Sequence, residues 1–180
     1  QENSLIISVS KRVFIDGQLL GVTAIDLTLN FISDYVKNYK IGEKGYIFLA
    51  SNVTTLDNKG IESKQYLLYS HKDYKKFLDY YITNHQKEFD DYVKENSEEM
   101  FYNKTLIDIR DTGSIYAELL DNILKEELYF KEVKIDGDSK FLLTYNMQDK
   151  NLIVFMVVDK KEALAEVEKQ FFTMVVGFFI

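Results

Sequence analysis

The sequence predicts an α+β protein in which one antiparallel sheet is flanked by helices. Three apolar strand patterns follow one another near the C-terminus, at residues 130–135, 140–146 and 152–158, and short turn signals join them. A long amphipathic helical pattern precedes them at residues 73–94. Strands grouped after helices, instead of alternating with them, favour an antiparallel sheet with helices packed on it.

The first element is a hairpin. Residues 4–14 and 19–28 are rich in β-branched and apolar side chains, and the segment 15–18 contains Asp16-Gly17. An Asp-Gly pair readily adopts the positive φ angles of a tight hairpin turn, so the two strands should pair antiparallel. A helical pattern over residues 29–39 follows the hairpin and ends before Gly42.

The middle of the chain continues with two strands and two helices. We expect strands at residues 45–50 and 66–69, separated by a polar stretch with a turn signal at 57–60. The 73–94 helix carries its apolar residues at helical spacing, and a second amphipathic stretch at 115–124 begins after a break at 111–114.

The closing meander ends in a strand that is apolar on both faces, at residues 152–158. Such a strand should be central in the sheet or covered twice. From Asp159 a helical pattern runs on without Gly or Pro into the uncharged stretch 171–180. Ten residues cannot cross a bilayer, which takes about 20, so we interpret this stretch as the first half of a transmembrane helix. A buried C-terminal helix or strand is the alternative.

Composition excludes several classes of protein. The formal charge of −7 and the interleaving of lysines with acids argue against nucleic-acid binding. The chain has no cysteine, hence no disulfide or thiolate metal site, and its two histidines form no zinc motif. No nucleophile elbow, phosphate-binding loop or dinucleotide fingerprint is present. We therefore expect no enzyme activity, no cofactor and no metal.

Two motifs, in a fixed order with the closing meander, resemble the double Cache sensor domains of bacterial chemoreceptors and sensor kinases. Residues 21–29 (GVTAIDLTL) are similar to the strand that closes the membrane-distal lobe of that family. Residues 41–49 (IGEKGYIFL) are similar to the strand that opens the membrane-proximal lobe. The sequence departs from the family at His71-Lys72, where the family has His-Pro, and near Asn151-Leu152, where it has Trp.

This resemblance implies a PAS-like antiparallel sheet flanked by helices, with a partial second lobe at the N-terminus. The implied segments are the last hairpin of the distal lobe (1–29), a linker helix (30–42), the proximal lobe (43–158), and an exit helix entering the membrane (159–180). The implied function is extracytoplasmic sensing of a small molecule, such as an amino acid or organic acid, by an inner-membrane chemoreceptor that is a homodimer. A histidine kinase or cyclic-dinucleotide enzyme is an alternative output, and we expect any targeting segment to lie upstream of Gln1.

Asp26 is the candidate site residue of the hairpin. In relatives that bind amino acids, the acidic residue of this strand resembles a counter-ion for the ligand ammonium group, which is a strong, oriented interaction. The alternative is that Asp26 caps the helix that begins near Leu29.

The proximal lobe offers five further candidates, which are polar-tipped rings on or beside the predicted strands: Tyr46, Tyr66, Tyr69, His71 and Tyr145. They could line a small pocket between sheet and helices. They could equally be core aromatics whose polar atoms find backbone partners. A rival reading of the whole chain is an envelope module that binds a protein partner or serves as a structural spacer.

Overall fold

The computed structural model describes residues 6–28, 35–36, 38–56 and 60–178. The strands in these ranges are β1 (Ile6–Ile15), β2 (Gln18–Thr28), β3 (Lys40–Ile41), β4 (Gly45–Leu56), β5 (Glu62–Tyr69), β6 (Leu128–Ile135), β7 (Asp138–Met147) and β8 (Leu152–Asp159). The helices are α1 (Tyr74–Asn84), α2 (Gln86–Glu95), α3 (Glu98–Lys104), α4 (Ile115–Ile123) and α5 (Lys160–Phe178). A 3-10 turn at Ile109–Thr112 precedes α4.

The N-terminal hairpin pairs in a two-stranded sheet of its own. β1 and β2 are antiparallel, with Ile15 opposite Gln18 across a two-residue turn. Asp16 and Gly17 have φ angles of 50° and 79°. These positive angles match the right-handed twist of the strands, which confirms the hairpin prediction. Most of the helix predicted at 29–39 lies outside the described residues, although Tyr35 and Val36 are helical.

The main sheet is antiparallel throughout and has β8 at its centre. β8 pairs with β4 on one side and with β7 on the other, and β6 forms the far edge beyond β7. β5 and the short β3 share the other side of β4, β3 beside its first residues and β5 beside its second half. The prediction of a single antiparallel sheet with a central, well-buried last strand is confirmed.

Helices cover one face of this sheet. Ile153, Phe155 and Val157 of β8 point to that face and are fully buried, as are Phe48 of β4 and Leu142 of β7. The alternate residues of β8 are half-buried on the opposite face. There the buried side chains, among the described residues, are Leu49 and Tyr69.

Two sequence predictions need correction. The single helix predicted at 73–94 is two helices that meet at His85. Before this break, the side chains of Thr83 and Asn84 donate to the carbonyls of Asp79 and Tyr80, both at 2.8 Å. Such side-chain bonds to the preceding turn compete with the backbone ladder and bend helices.

The second correction concerns the polar stretch after residue 50. It was predicted to lie outside the strands, yet β4 continues to Leu56 and β5 begins at Glu62. Thr55 and Ser63 lie opposite each other and their hydroxyls are 2.7 Å apart. Cross-strand hydroxyl pairs of this kind stabilise a sheet without any apolar side chain.

α5 follows β8 without a loop and is helical from Lys160 to Phe178. Within the described ranges, no helix has both the length and the apolar character needed to span a membrane.

Candidate functional site

A cavity of about 270 Å³ lies between the sheet and the helices. We call it the aromatic cavity. Aromatic rings, small residues of one wall, and charged side chains surround it: Tyr46, His71, Asp73, Lys76, Phe77, Tyr80, Thr112, Gly113, Ser114, Ile115, Tyr116, Lys134, Ile135 and Asp136. Pockets for drug-sized ligands measure about 300–1,000 Å³, so this cavity suits a small metabolite.

His71 is the most buried polar group that lines the cavity, with 1% of its surface exposed. Ser70 before it has a φ of 61°, a left-handed conformation that turns the chain from β5 towards α1. The imidazole ring lies among the rings of Phe48, Phe77 and Tyr46, with centroids 4.6, 4.7 and 5.3 Å away. These contacts fix the ring in place.

The protonation state of His71 follows from its surroundings. Burial, with a smaller contribution from the charge of Lys72, lowers its pKa to about 3, so the ring is neutral near pH 7. Its Nδ1 accepts a hydrogen bond from the backbone N–H of Asp73 at 3.0 Å. The single ring proton is therefore on Nε2. Nε2 is buried and has no hydrogen-bond partner in the described part of the chain.

Two tyrosine hydroxyls lie in the same cavity. Tyr46 of β4 and Tyr116 of α4 are buried, and their oxygens are 2.7 Å apart. Burial raises the pKa of Tyr46 to about 12 and also raises that of Tyr116, so both stay protonated at neutral pH. Since one hydroxyl donates to the other, one hydroxyl proton of the pair remains to be donated elsewhere.

The charged side chains that line the cavity carry both signs. Lys76 of α1 and Asp136 of the β6–β7 turn form an exposed ion pair at 3.6 Å. Lys134 and Asp73 also line the cavity. Exposed ion pairs contribute little to stability, so these groups can exchange partners at small cost.

One wall depends on the break that the sequence predicted at 111–114. Gly113 ends the 3-10 turn with a φ of 59°. A Cβ built on Gly113 would lie 2.5 Å from the ring of Tyr80, which lines the same cavity. The backbone angle therefore favours glycine, and any side chain at this position would displace the ring of Tyr80.

An ion pair between Asp108 and Arg110 connects this wall of the cavity to the sheet. The carboxylate of the buried Asp108 accepts hydrogen bonds from the backbone N–H groups of Tyr66 and Arg110, at 3.0 and 2.9 Å. The Arg110 guanidinium donates to the same carboxylate at 2.6 and 3.0 Å. Although burial alone would raise the pKa of Asp108, these hydrogen bonds lower it overall. The carboxylate is thus ionised and joins β5 to the turn before α4.

The structure brings together two of the six candidate residues, Tyr46 and His71, in the aromatic cavity. Tyr66 is buried with the Arg110 guanidinium over its ring, at 5.5 Å from the centroid. Tyr69 packs with Leu49 on the opposite face of the sheet. Tyr145 is 43% exposed and its hydroxyl donates to Glu127 at 3.1 Å. Asp26 is in β2 opposite Ser8, and its side chain lies outside what the structure describes.

Sequence reasoning missed Tyr116 and the charged groups of the cavity. Tyr116 is a polar-tipped ring in the first turn of α4, directly after the Gly113-Ser114 break, and this position was the available signal. The charged groups gave no signal as a set, because Lys76 comes from α1 whereas Lys134 and Asp136 come from the end of β6 and the turn after it, and only the fold brings the two segments together. Among the described residues, no group of three or more His, Asp or Glu side chains is placed to hold a metal ion.

No protein-family model and no curated protein sequence matches the chain. Several solved structures are similar to it, and the chain spans about half of their length. The extracellular domain of mmHK1S-Z3, named as a histidine kinase, shares 18% identity over 93% of this chain and 49% of its own, with a TM-score of 0.47. The ligand-binding domain of Mlp24, solved with asparagine, shares 16% identity over 93% and 50%, with a TM-score of 0.38. The ligand-binding domain of the Pseudomonas fluorescens chemoreceptor CtaA, solved with L-alanine, shares 18% identity over 91% and 52%, with a TM-score of 0.35.

Proposed function

We propose that this chain is a ligand-sensing, non-enzymatic part of the extracytoplasmic region of a bacterial transmembrane receptor, and that its ligand binds in the aromatic cavity. The observation that carries the proposal is the unpartnered Nε2–H of His71. A buried donor without a partner costs about 1–3 kcal/mol, and a ligand acceptor in the cavity would remove that cost. The motif resemblance of residues 41–49 to Cache sensor domains supports the same reading.

The chemistry of the cavity favours an amino acid or a small organic acid. A ligand carboxylate could accept hydrogen bonds from His71 Nε2–H, from the free tyrosine hydroxyl proton, and from Lys76 or Lys134. An ammonium group could pair with Asp73 or Asp136. Groups of both signs around an aromatic interior match a small zwitterion better than an apolar compound.

The proposed output is a change in the position of the exit helix. α5 begins directly where the central strand β8 ends, so a movement of that end of β8 also moves the start of the helix. A ligand shifts such an equilibrium only by its different affinities for the two states. In this proposal residues 1–29 belong to a second, membrane-distal lobe, residues 43–158 form the sensing lobe, and the helix from 159 leads to the inner membrane of a dimeric chemoreceptor or sensor kinase.

A calorimetric titration of the twenty amino acids and of small organic acids tests the ligand proposal. The double variant Lys76→Gln with Lys134→Gln removes both cations of the cavity, and we expect affinity to fall roughly tenfold or more, since each charge-assisted hydrogen bond is worth about 1.5–3 kcal/mol. The matched control, Lys75→Gln with Lys131→Gln, makes the same charge change at exposed neighbours outside the cavity. Equal losses in both variants, or no saturable binding by the unaltered protein, would contradict the proposal.

The membrane placement has a separate test. Deletion of residues 171–180 should leave the sheet folded and make the protein more soluble, because charge ceases after Lys169 as it does where a helix enters hydrocarbon. Circular dichroism and thermal unfolding of the shortened chain check this. Loss of the folded state on deletion would mean that these residues belong to the core.

A protein-interaction module is the second candidate, and one observation favours it. Leu128 and Phe130 on the edge strand β6 are 60% and 61% exposed. If the chain binds a protein partner through this edge, replacing both with Ser would abolish that binding while leaving small-ligand titrations unchanged.

A further inference from the structure

A second cavity, of about 420 Å³, lies where the β3–β4 turn meets the β6–β7 turn. We call it the lysine cavity, because four of the residues that line it are Lys40, Lys44, Lys72 and Lys140. It shares Tyr46, Ile135 and Asp136 with the aromatic cavity but otherwise has its own walls. Three separate segments of the chain bring these lysines together.

Three carboxylates, those of Glu43, Asp136 and Asp138, line the same cavity and balance its four lysines only in part. Lys40 and Lys44 have no carboxylate within 4.0 Å in the part of the chain that the structure describes. Lys72 pairs with Asp73 at 3.6 Å and lies over the ring of Tyr46. Of these four lysines Lys140 is the buried one, with 7% of its surface exposed, and its Nζ is also 4.0 Å from Asp138. Cations gathered around a cavity, two of them without a partner, favour an anion there.

Lys140 connects the cavity to the exit helix. Its Nζ donates to Oδ2 of the buried Asp159 at 2.9 Å. The other oxygen of Asp159 accepts from the backbone N–H groups of Lys161 and Glu162, at 3.0 and 3.2 Å. These bonds satisfy two of the unpaired donors at the start of a helix, so Asp159 is the N-cap of α5. The hydrogen bond from Lys140 lowers the pKa of Asp159, which keeps the cap ionised.

The opposite wall of the cavity is tied to the same helical turn. The carboxylate of Glu162 accepts from the backbone N–H groups of Glu43 and Lys44, at 3.1 and 3.3 Å. Gly42 has a φ of 64°, and a Cβ there would clash with this carboxylate. Both sides of the lysine cavity are therefore connected to the start of α5, one through its N-cap Asp159 and the other through Glu162 of its first turn.

We propose that the lysine cavity is a second binding site, for a small dianion, and that its occupancy is transmitted to α5 through Lys140 and the Glu43–Lys44 backbone. A bound anion contacts Lys140, which now holds Asp159, and lies against Glu43 and Lys44, whose backbone now holds Glu162. It therefore competes with the carboxylates of the exit helix, and the bound and free states differ in how firmly the first turn of α5 is held. Phosphate and a dicarboxylate share this chemistry.

Calorimetric titration of inorganic phosphate and of succinate into the full chain tests the site. Tighter binding of phosphate would indicate an inorganic anion as the ligand, and tighter binding of succinate would indicate a dicarboxylate. We expect saturable binding of at least one probe. The double variant Lys40→Gln with Lys44→Gln should weaken it about tenfold, a loss of about 1.4 kcal/mol. The control, Lys87→Gln with Lys125→Gln, makes the same charge change at exposed positions and should bind as the unaltered protein does. Absence of saturable binding by both probes, or equal weakening in both variants, would overturn the proposal.

Hydrogen exchange tests the connection to the helix. We expect faster exchange of the Lys161 and Glu162 amides when the anion is bound, because the Asp159 carboxylate that holds them loses Lys140. Unchanged or slower exchange would overturn the coupling. The titration is repeated in the Lys76→Gln, Lys134→Gln variant of the aromatic cavity, which should still bind the anion. The failure of either proposal is then distinguishable from failure of the other.

Discussion

The two faces of the main sheet are made by alternate residues of the same strands, yet they differ in what they bury. Along β8 the residues from Ile153 to Asp159 with odd numbers are buried, and those with even numbers are half-exposed. Both sets are mainly apolar. The difference comes from helices α1 to α4, whose apolar side chains pack on the covered face. Apolar character of a strand therefore indicates that a face can be covered, and the neighbouring elements decide which face is.

The helix-covered face is also where polar groups are enclosed. His71, Tyr46 and Tyr116 lie on it, as does the Lys140–Asp159 pair. Burial keeps His71, Tyr46 and Tyr116 neutral near pH 7 because it penalises their charged forms, and the hydrogen bond from Lys140 lowers the pKa of Asp159. The covered face thus combines the core with both cavities.

The largest loss of stability should come from substitution of Phe155, at the centre of the covered face. Its ring is fully buried and stacks on Phe48 with centroids 4.4 Å apart. Phe155→Ala should lower the free energy of unfolding by about 3–5 kcal/mol, as large-to-small changes in packed cores do. Denaturant unfolding measures this. A loss below about 1.5 kcal/mol would show that the covered face is loosely packed.

The same substitution, valine to alanine, at two adjacent residues compares the two faces of the sheet. Val157 is fully buried on the covered face, and Val158 is half-buried on the other. Val157→Ala should cost about 2–3 kcal/mol, because two carbon atoms leave the core and a cavity remains. Val158→Ala should cost about 1 kcal/mol or less, because that side chain keeps part of its surface in water. Equal costs, measured by denaturant unfolding, would mean that both faces are equally covered in solution.

The main sheet was largely predictable from the sequence, because β8 is apolar on both faces and the Asp136-Gly137 turn fixes one hairpin of the meander. The second half of β4 was not, since Thr54 and Thr55 carry a polar signal and pair only once β5 lies beside them. The lining of the aromatic cavity was predictable only in part. Tyr46 and His71 were marked by their residue types, whereas Lys76 is far in sequence from Lys134 and Asp136, and no local pattern shows that these charges meet at one cavity.

Because His71 is buried and neutral, we expect the stability of the fold to depend on pH. His71 stays neutral in the folded state down to about pH 3, whereas the unfolded chain takes up a proton below about pH 6.5. Its contribution to stability is therefore complete above pH 6.5 and is lost as pH falls towards 3, by up to about 1.4 kcal/mol per pH unit. The change in unfolding free energy between pH 6.5 and about 5 should shrink in His71→Gln. The control is His85→Gln, which replaces the half-exposed second histidine and should keep the full pH dependence. If the pH dependence of the unfolding free energy is unchanged in His71→Gln, His71 is not its cause.

The smallest difference should be the one between Gly113, where the covered face meets the aromatic cavity, and Gly60. Gly113→Ala places a side chain in a left-handed conformation, which costs about 1–2 kcal/mol, and also forces Tyr80 away from the wall. Tyr80 is 49% exposed, so its ring can swing into water at small additional cost. The control is Gly60→Ala, which has a similar φ of 76° but open space within 4 Å of its Cβ. We expect the two variants to lose nearly equal stability in denaturant unfolding, while the NMR signals of the Tyr80 ring shift only in Gly113→Ala. A loss several times larger in Gly113→Ala would mean that Tyr80 cannot move, and that this wall of the cavity is as rigid as the core behind it.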